Sequence, residues 1–213
     1  MAERTFSILD RLLGEIDIAI KVLSAPARAS RPAPRATGGE LVMETRDRQE
    51  SARLMRVNHS GEIAAQALYQ GQALTARDPT VATAMRHAAD EEMDHLAWCE
   101  QRITELHGTT SLLNPLWYAG SFAIGALAGA FGDRTSLGFI AETEKQVEAH
   151  LRDHRELLPA ADGRSRAILE QMTHDEVQHG AKATALGADE LPLPLRLGMR
   201  WTARIMTRSS YWL

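Results

Sequence analysis

Phe6, Leu9, Leu12, Leu13, Ile16, Ile20 and Leu23 recur at helical spacing, so the pattern predicts an amphipathic helix over residues 5–23. The stretch 24–39, SAPARASRPAPRATGG, is rich in proline, alanine, arginine and glycine and holds no acid. It reads as a linker rather than a packed element, with a second region beginning near Glu40. From there the apolar periodicity predicts helices at 41–75, 79–107, 134–158 and 162–186, punctuated at Asp78-Pro79, Gly108, Pro159 and Gly187. Almost nothing reads as a strand, and the expected class is an all-α bundle of two helical hairpins.

Two segments break the amphipathic rhythm. Residues 108–132 carry no charged side chain, and 116–132 is almost wholly apolar or small. As a helix those last residues would reach about 26 Å, short of a ~30 Å hydrocarbon core. The C-terminus has no acid after Glu190 and sets Arg196, Arg200, Arg204 and Arg208 at four-residue steps, with Leu195, Met199, Trp201, Ile205 and Met206 on other faces. Such a basic amphipathic helix suits an anionic membrane surface.

Composition narrows the function classes. The chain has 213 residues, enough for one domain with a sizeable core, and a net charge of −4 gives no general reason to expect nucleic acid. Cys99 is the only cysteine, which excludes an intrachain disulfide, a redox pair and a cysteine-based zinc or iron-sulfur site. That fits a reducing cytoplasm. Asp10, Arg11, Glu15 and Asp17 interrupt the first helix, unlike a secretory signal, and no export is expected.

The chemistry lies in a repeated pattern. EEMDH at 91–95 and DEVQH at 175–179 both spell [DE]-E-x-x-H, which puts Glu92 with His95, and Glu176 with His179, on one helix face each. A carboxylate and an imidazole suit iron, manganese or zinc, but one such pair is common on a solvated helix. A two-metal carboxylate bundle also needs one glutamate from each of two further helices. Glu62 lies 30 residues ahead of Glu92, and Glu144 lies 32 ahead of Glu176, as in a duplicated hairpin. Glu142 and Glu148 compete with Glu144, and the hairpin offset favours Glu144 over Glu142. Glu91 and Asp175 are candidate acceptors for the histidine N–H groups. His150 and Tyr69 are candidates for the substrate side of the site, Tyr69 with core packing as its alternative. No nucleotide fingerprint is present, so electrons must come from outside the fold or from the substrate.

With Glu62, Glu92-Met-Asp-His95, Glu144 and Glu176-Val-Gln-His179 in this order, together with VNHSGE at 57–62, the chain resembles the demethoxyubiquinone hydroxylases of ubiquinone biosynthesis over roughly residues 45–213. The resemblance implies a ferritin-like four-helix bundle with a di-iron centre that uses O₂ to hydroxylate a polyprenyl demethoxyubiquinol. It implies that Glu62 and His95 bind one iron, Glu144 and His179 the other, and that Glu92 and Glu176 bridge both. Leu151 stands where some members have tyrosine, which removes a tyrosine role there.

Because ligands flank segment 116–132 on both sides, one membrane crossing would separate them. The expected enzyme is therefore monotopic, on the cytoplasmic face of the cell membrane. Its expected partners are the quinol, the membrane surface and an external reductant, with a lipid-presenting protein or a second copy as further candidates and no nucleic acid. The rival readings are a ferritin-like iron-oxidising or storage protein, a di-iron hydroxylase of another substrate such as a modified tRNA, and a structural bundle with a vestigial site.

Overall fold

The computed structural model describes residues 8–36 and 41–213, and among them every regular element is a helix. These are α1 (Ile8–Ser24), α2 (Thr45–Thr75), α3 (Pro79–Glu105), α4 (Asn114–Ala130), α5 (Asp133–Leu157), α6 (Gly163–Ala185) and α7 (Leu193–Trp212). The bundle predicted from periodicity is the bundle found; the expected start of α1 at residue 5 lies outside the described residues.

Helices α2 and α3 form one hairpin and α5 and α6 the other. Both turns are short, which enforces antiparallel neighbours. At each turn an aspartate caps the second helix: Asp78 accepts from Thr80 N at 2.7 Å and Asp162 from Ser165 N at 2.9 Å. Pro79 starts α3 where its missing N–H costs nothing. Inside, Met55, Trp98, Ile103, Leu169 and Met172 build one apolar layer, and Met85, Leu137, Ile140 and Ala183 another. Along every one of the four helices the predicted metal-binding positions fall between those two layers.

The uncharged segment has two faces. Gly125 of α4 meets the backbone of Leu68 and Gly71 of α2 meets the backbone of Phe122 and Ala126 so closely that a Cβ at either would overlap it. Thr75 Oγ1 donates to Ala126 O at 3.1 Å across the same seam. The opposite stripe, Leu116, Ile124, Leu127 and Phe131, is exposed. No helix among the described residues is long and apolar enough to cross a membrane. Helix α7 is held at its C-terminal end, where Trp117 Nε1 donates to Ser210 Oγ and the Tyr211 hydroxyl to Glu50. Elsewhere it leaves Leu193, Leu197, Trp201 and Ile205 exposed beside its arginine stripe.

One expectation is corrected. The described part of the proline- and arginine-rich stretch is not helical, but it is packed. Ala27 N donates to Glu100 at 2.8 Å, Ser30 and Arg31 bind Asp94, and Ala33 joins the core beside Trp98. Its composition hides this because the anchoring groups are backbone amides and one arginine, which leave no apolar period.

Candidate metal centre

Glu62 comes from α2, Glu92 and His95 from α3, Glu144 from α5, and Glu176 and His179 from α6. All six are buried. They form two sets of four, Glu62, Glu92, His95 and Glu176, and Glu92, Glu144, Glu176 and His179, within each of which ligand atoms lie within 4.8 Å of one another. Glu92 and Glu176 belong to both sets.

The histidines face inward through Nδ1. His95 Nδ1 lies 3.0 Å from Glu92, 3.3 Å from Glu176 and 3.7 Å from Glu62. His179 Nδ1 lies 3.2 Å from both Glu92 and Glu176. Their Nε2 atoms point outward to carboxylates: His95 donates to Asp175 at 3.0 Å and His179 to Glu91 at 2.9 Å. An ionised carboxylate only accepts, so Nε2 carries the proton and the Nδ1 lone pair is left for a cation.

Bound there, a cation would balance buried charges that are otherwise balanced by protons. Burial pushes the Glu62 and Glu144 carboxyls well above the ordinary range, and the Glu92 and Glu176 charges push further. Burial opposes protonation of the histidines, yet the surrounding carboxylates raise His179 to about 11 and His95 well above its usual value. The ion pairs that Glu62, Glu92 and Glu176 make are with His95 and His179. Glu92 Oε1 is buried without a hydrogen-bond donor. Four acidic groups and two imidazoles of fixed tautomer, all oxygen and nitrogen donors, fit a pair of divalent ions.

The rival glutamates turn elsewhere. Glu142 accepts from Gln146 Nε2 at 2.7 Å and Glu148 pairs with Arg152 at 2.6 Å. Tyr69 does more than pack: its hydroxyl donates to Glu144 and its ring meets His179 edge-on. It also lines a cavity of about 630 Å³ with His179, Met85, Ala88, Ile140 and Leu186. Glu91 and Lys182 supply charge, and His87, Thr80 and Thr83 further polar groups, to a lining that is otherwise mainly apolar. His150 instead lies against His154, with ring centroids 3.8 Å apart and the rings tilted by 53°, and His154 is bonded in turn to Asn58. Of the residues bearing on this site, Arg31 was not foreseen.

Comparison with known proteins agrees with the geometry. A family model described as Ubiquinone biosynthesis protein COQ7 matches residues 49–210. The 3-demethoxyubiquinol 3-hydroxylase of Aromatoleum aromaticum is 57% identical over 204 residues, 96% of this chain and 99% of that protein. The protein of the same name from Dechloromonas aromatica is 55% identical over 202 residues, 95% and 98% of the two chains. The chain therefore belongs to the family of ubiquinone biosynthesis protein COQ7.

Proposed function

We propose that this protein is a 3-demethoxyubiquinol 3-hydroxylase: a monooxygenase that adds one atom of O₂ to the ring of a polyprenyl quinol, the other atom leaving as water with two electrons from an external reductant and two protons from solvent. The observation that carries the reading is the six-residue cluster, with its two shared carboxylates, opening onto an apolar cavity through His179 and Tyr69. The relatives' names supply the reaction.

In this reading Glu62 and His95 would hold one iron and Glu144 and His179 the other, with Glu92 and Glu176 available to both. Iron bound there would supply the reduction of O₂ that an all-protein site lacks. The residues of this chain do the rest. Asp175 and Glu91 keep each imidazole turned with its lone pair inward. Tyr69 donates to Glu144 and so fixes that carboxylate at the cavity wall. Met85, Ala88 and Ile140 offer a quinol ring an apolar surface and keep water sparse.

We further propose that the enzyme rests on the cytoplasmic face of the membrane. The exposed apolar stripes of α4 and α7 support this, as do Arg196, Arg200, Arg204 and Arg208 beside the second of them. A monotopic seat suits a substrate whose prenyl tail stays in lipid.

The test is anaerobic. Purified protein is loaded with ferrous iron, iron per chain is counted, and O₂ is added with and without a demethoxyquinol before mass spectrometry of the quinone. Two irons and a product heavier by one oxygen atom are expected. Rapid O₂ consumption with an unchanged quinone mass would instead favour iron oxidation or another substrate.

A further inference from the structure

Residues 25–36 form a strap across α3 and α6, and its tightest point is Arg31. Asp94, buried in α3, accepts from Ser30 N at 2.5 Å, Ser30 Oγ at 3.0 Å and Arg31 Nε at 2.6 Å. The same guanidinium reaches α6, where Nη1 donates to Asp175 Oδ2 at 2.9 Å. It lies over the Trp98 ring, 4.9 Å from the centroid, and Trp98 Nε1 donates back to Arg31 O at 3.1 Å. These contacts hold the guanidinium between α3 and α6.

Asp175 Oδ2 is also the atom that accepts from His95 Nε2 at 3.0 Å. Arg31, Asp175 and His95 thus form one line of charge-assisted hydrogen bonds running from the strap into the cluster. Among the described residues, the other half of the cluster has no such clamp. Glu91, which accepts from His179, meets Lys182 at 3.5 Å and His87 at 3.2 Å, both side chains well exposed.

We propose that Arg31 is a positioning residue of the metal centre: by clamping Asp175 it fixes the orientation of His95, so that the N-terminal strap selectively strengthens the ion held by Glu62 and His95. This rests on the metal-centre reading given above. It extends that reading, because Arg31 lies ahead of the segment 49–210 that the family model matches. The physical reason is rotational. Without Arg31, Asp175 keeps Gln171 at 2.9 Å and the exposed His174 at 3.6 Å beside His95, and a carboxylate so held swings more freely than one held by a guanidinium that is itself anchored on Asp94. Loss of partners of this kind typically lowers metal affinity ~10–100-fold.

The experiment titrates the full-length chain with Co²⁺ under competition from a chelator, following the ligand-field absorption and circular dichroism bands. Wild type is compared with Arg31→Ala, Arg31→Lys, Asp175→Asn and the Arg31→Ala/Asp175→Asn double variant. One of the two ions should bind ~10–100-fold more weakly in Arg31→Ala, with altered bands for that ion alone. The double variant should be no weaker than Asp175→Asn, since residues acting in series are not additive. Arg31→Lys keeps the charge without the two-armed fork and should fall between. If Arg31→Ala does not fold, Arg31→Lys decides, and wild-type affinity for both ions there overturns the proposal. So does equal weakening of both ions, or full additivity with Asp175→Asn, because a merely structural strap predicts those. Two ions in wild type with unchanged affinities in Arg31→Ala overturn the proposal alone. A wild-type chain that takes up no Co²⁺ overturns the metal-centre reading and the proposal with it.

Discussion

Asp175 accepts its hydrogen bond from His95, on the other hairpin, rather than from His179 on its own helix. Glu91 does the converse, accepting from His179. The acid that opens each Glu-x-x-His repeat therefore orients the histidine of the other repeat. Each of these bonds ties α3 to α6, the line along which the two hairpins meet. Assembly of the hairpins and orientation of the imidazoles are accordingly one event.

This crossing predicts which ion each substitution weakens. Asp175→Asn should lower affinity at the Glu62 and His95 side, and Glu91→Gln at the Glu144 and His179 side, each by ~10–100-fold. Ligand-field spectra of Co²⁺-loaded variants separate the two cases. If both substitutions perturbed the same ion, the crossed arrangement would be wrong.

Glu176 belongs to both sets of four, so Glu176→Ala should cost both ions rather than one. The variant should stay folded, because it removes one of four buried carboxyl groups that crowd each other without ions. Iron counts near zero beside an unchanged far-ultraviolet helical spectrum are expected. One retained iron per chain would show that Glu176 is not shared.

The seam between α2 and α4 gives a stability prediction. A Cβ on Gly125 would overlap the Leu68 backbone, which cannot rotate away as a side chain would. Gly125→Ala should therefore destabilise by ~1–3 kcal/mol through forced separation of the helices. Gly120, on the same helix, has open space around its Cβ position. Gly120→Ala should instead raise stability by up to ~1 kcal/mol through helix propensity. Urea denaturation of the two variants gives the comparison, and a Gly125→Ala as stable as wild type would refute the close-contact account.

Much of this was legible because helical periodicity and hairpin length are local or repetitive signals. The spacing of Glu62, Glu92, Glu144 and Glu176 was enough to pick out residues that the fold brings together, even between Glu144 and its neighbours Glu142 and Glu148. Arg31 was not legible. Its bond to Asp175 spans 144 positions, and a lone arginine in a proline-rich tract has no period to announce a partner. The crossing of the acids was equally hidden, since sequence adjacency points each acid to its own histidine. Tyr69 fell between, at a spacing that fits both core packing and the cavity wall it occupies.

The last prediction concerns acid stability away from the carboxylate and histidine cluster. His59 is 5% exposed, and its Nδ1 faces the Asn114 side-chain amide at 3.3 Å, an arrangement suited to a neutral imidazole. Burial lowers its pKa to about 4, from 6.5. Above pH 6.5 the ring is neutral both folded and unfolded and stability is unaffected. Between 6.5 and about 4 the unfolded chain takes up a proton that the fold refuses, so stability falls as pH falls. His150 and His154, lowered by burial to about 4 and about 2, act in the same direction. From pH 7 to pH 5, His59 alone should cost about 2 kcal/mol, and His59→Gln, which cannot titrate, should remove that share. Urea midpoints of the chelator-treated wild type and variant at the two pH values isolate it, because the clustered carboxylates are common to both. An equal acid loss in the two proteins would mean that His59 is protonated in the fold, and that Asn114 presents its oxygen rather than its amide to the ring.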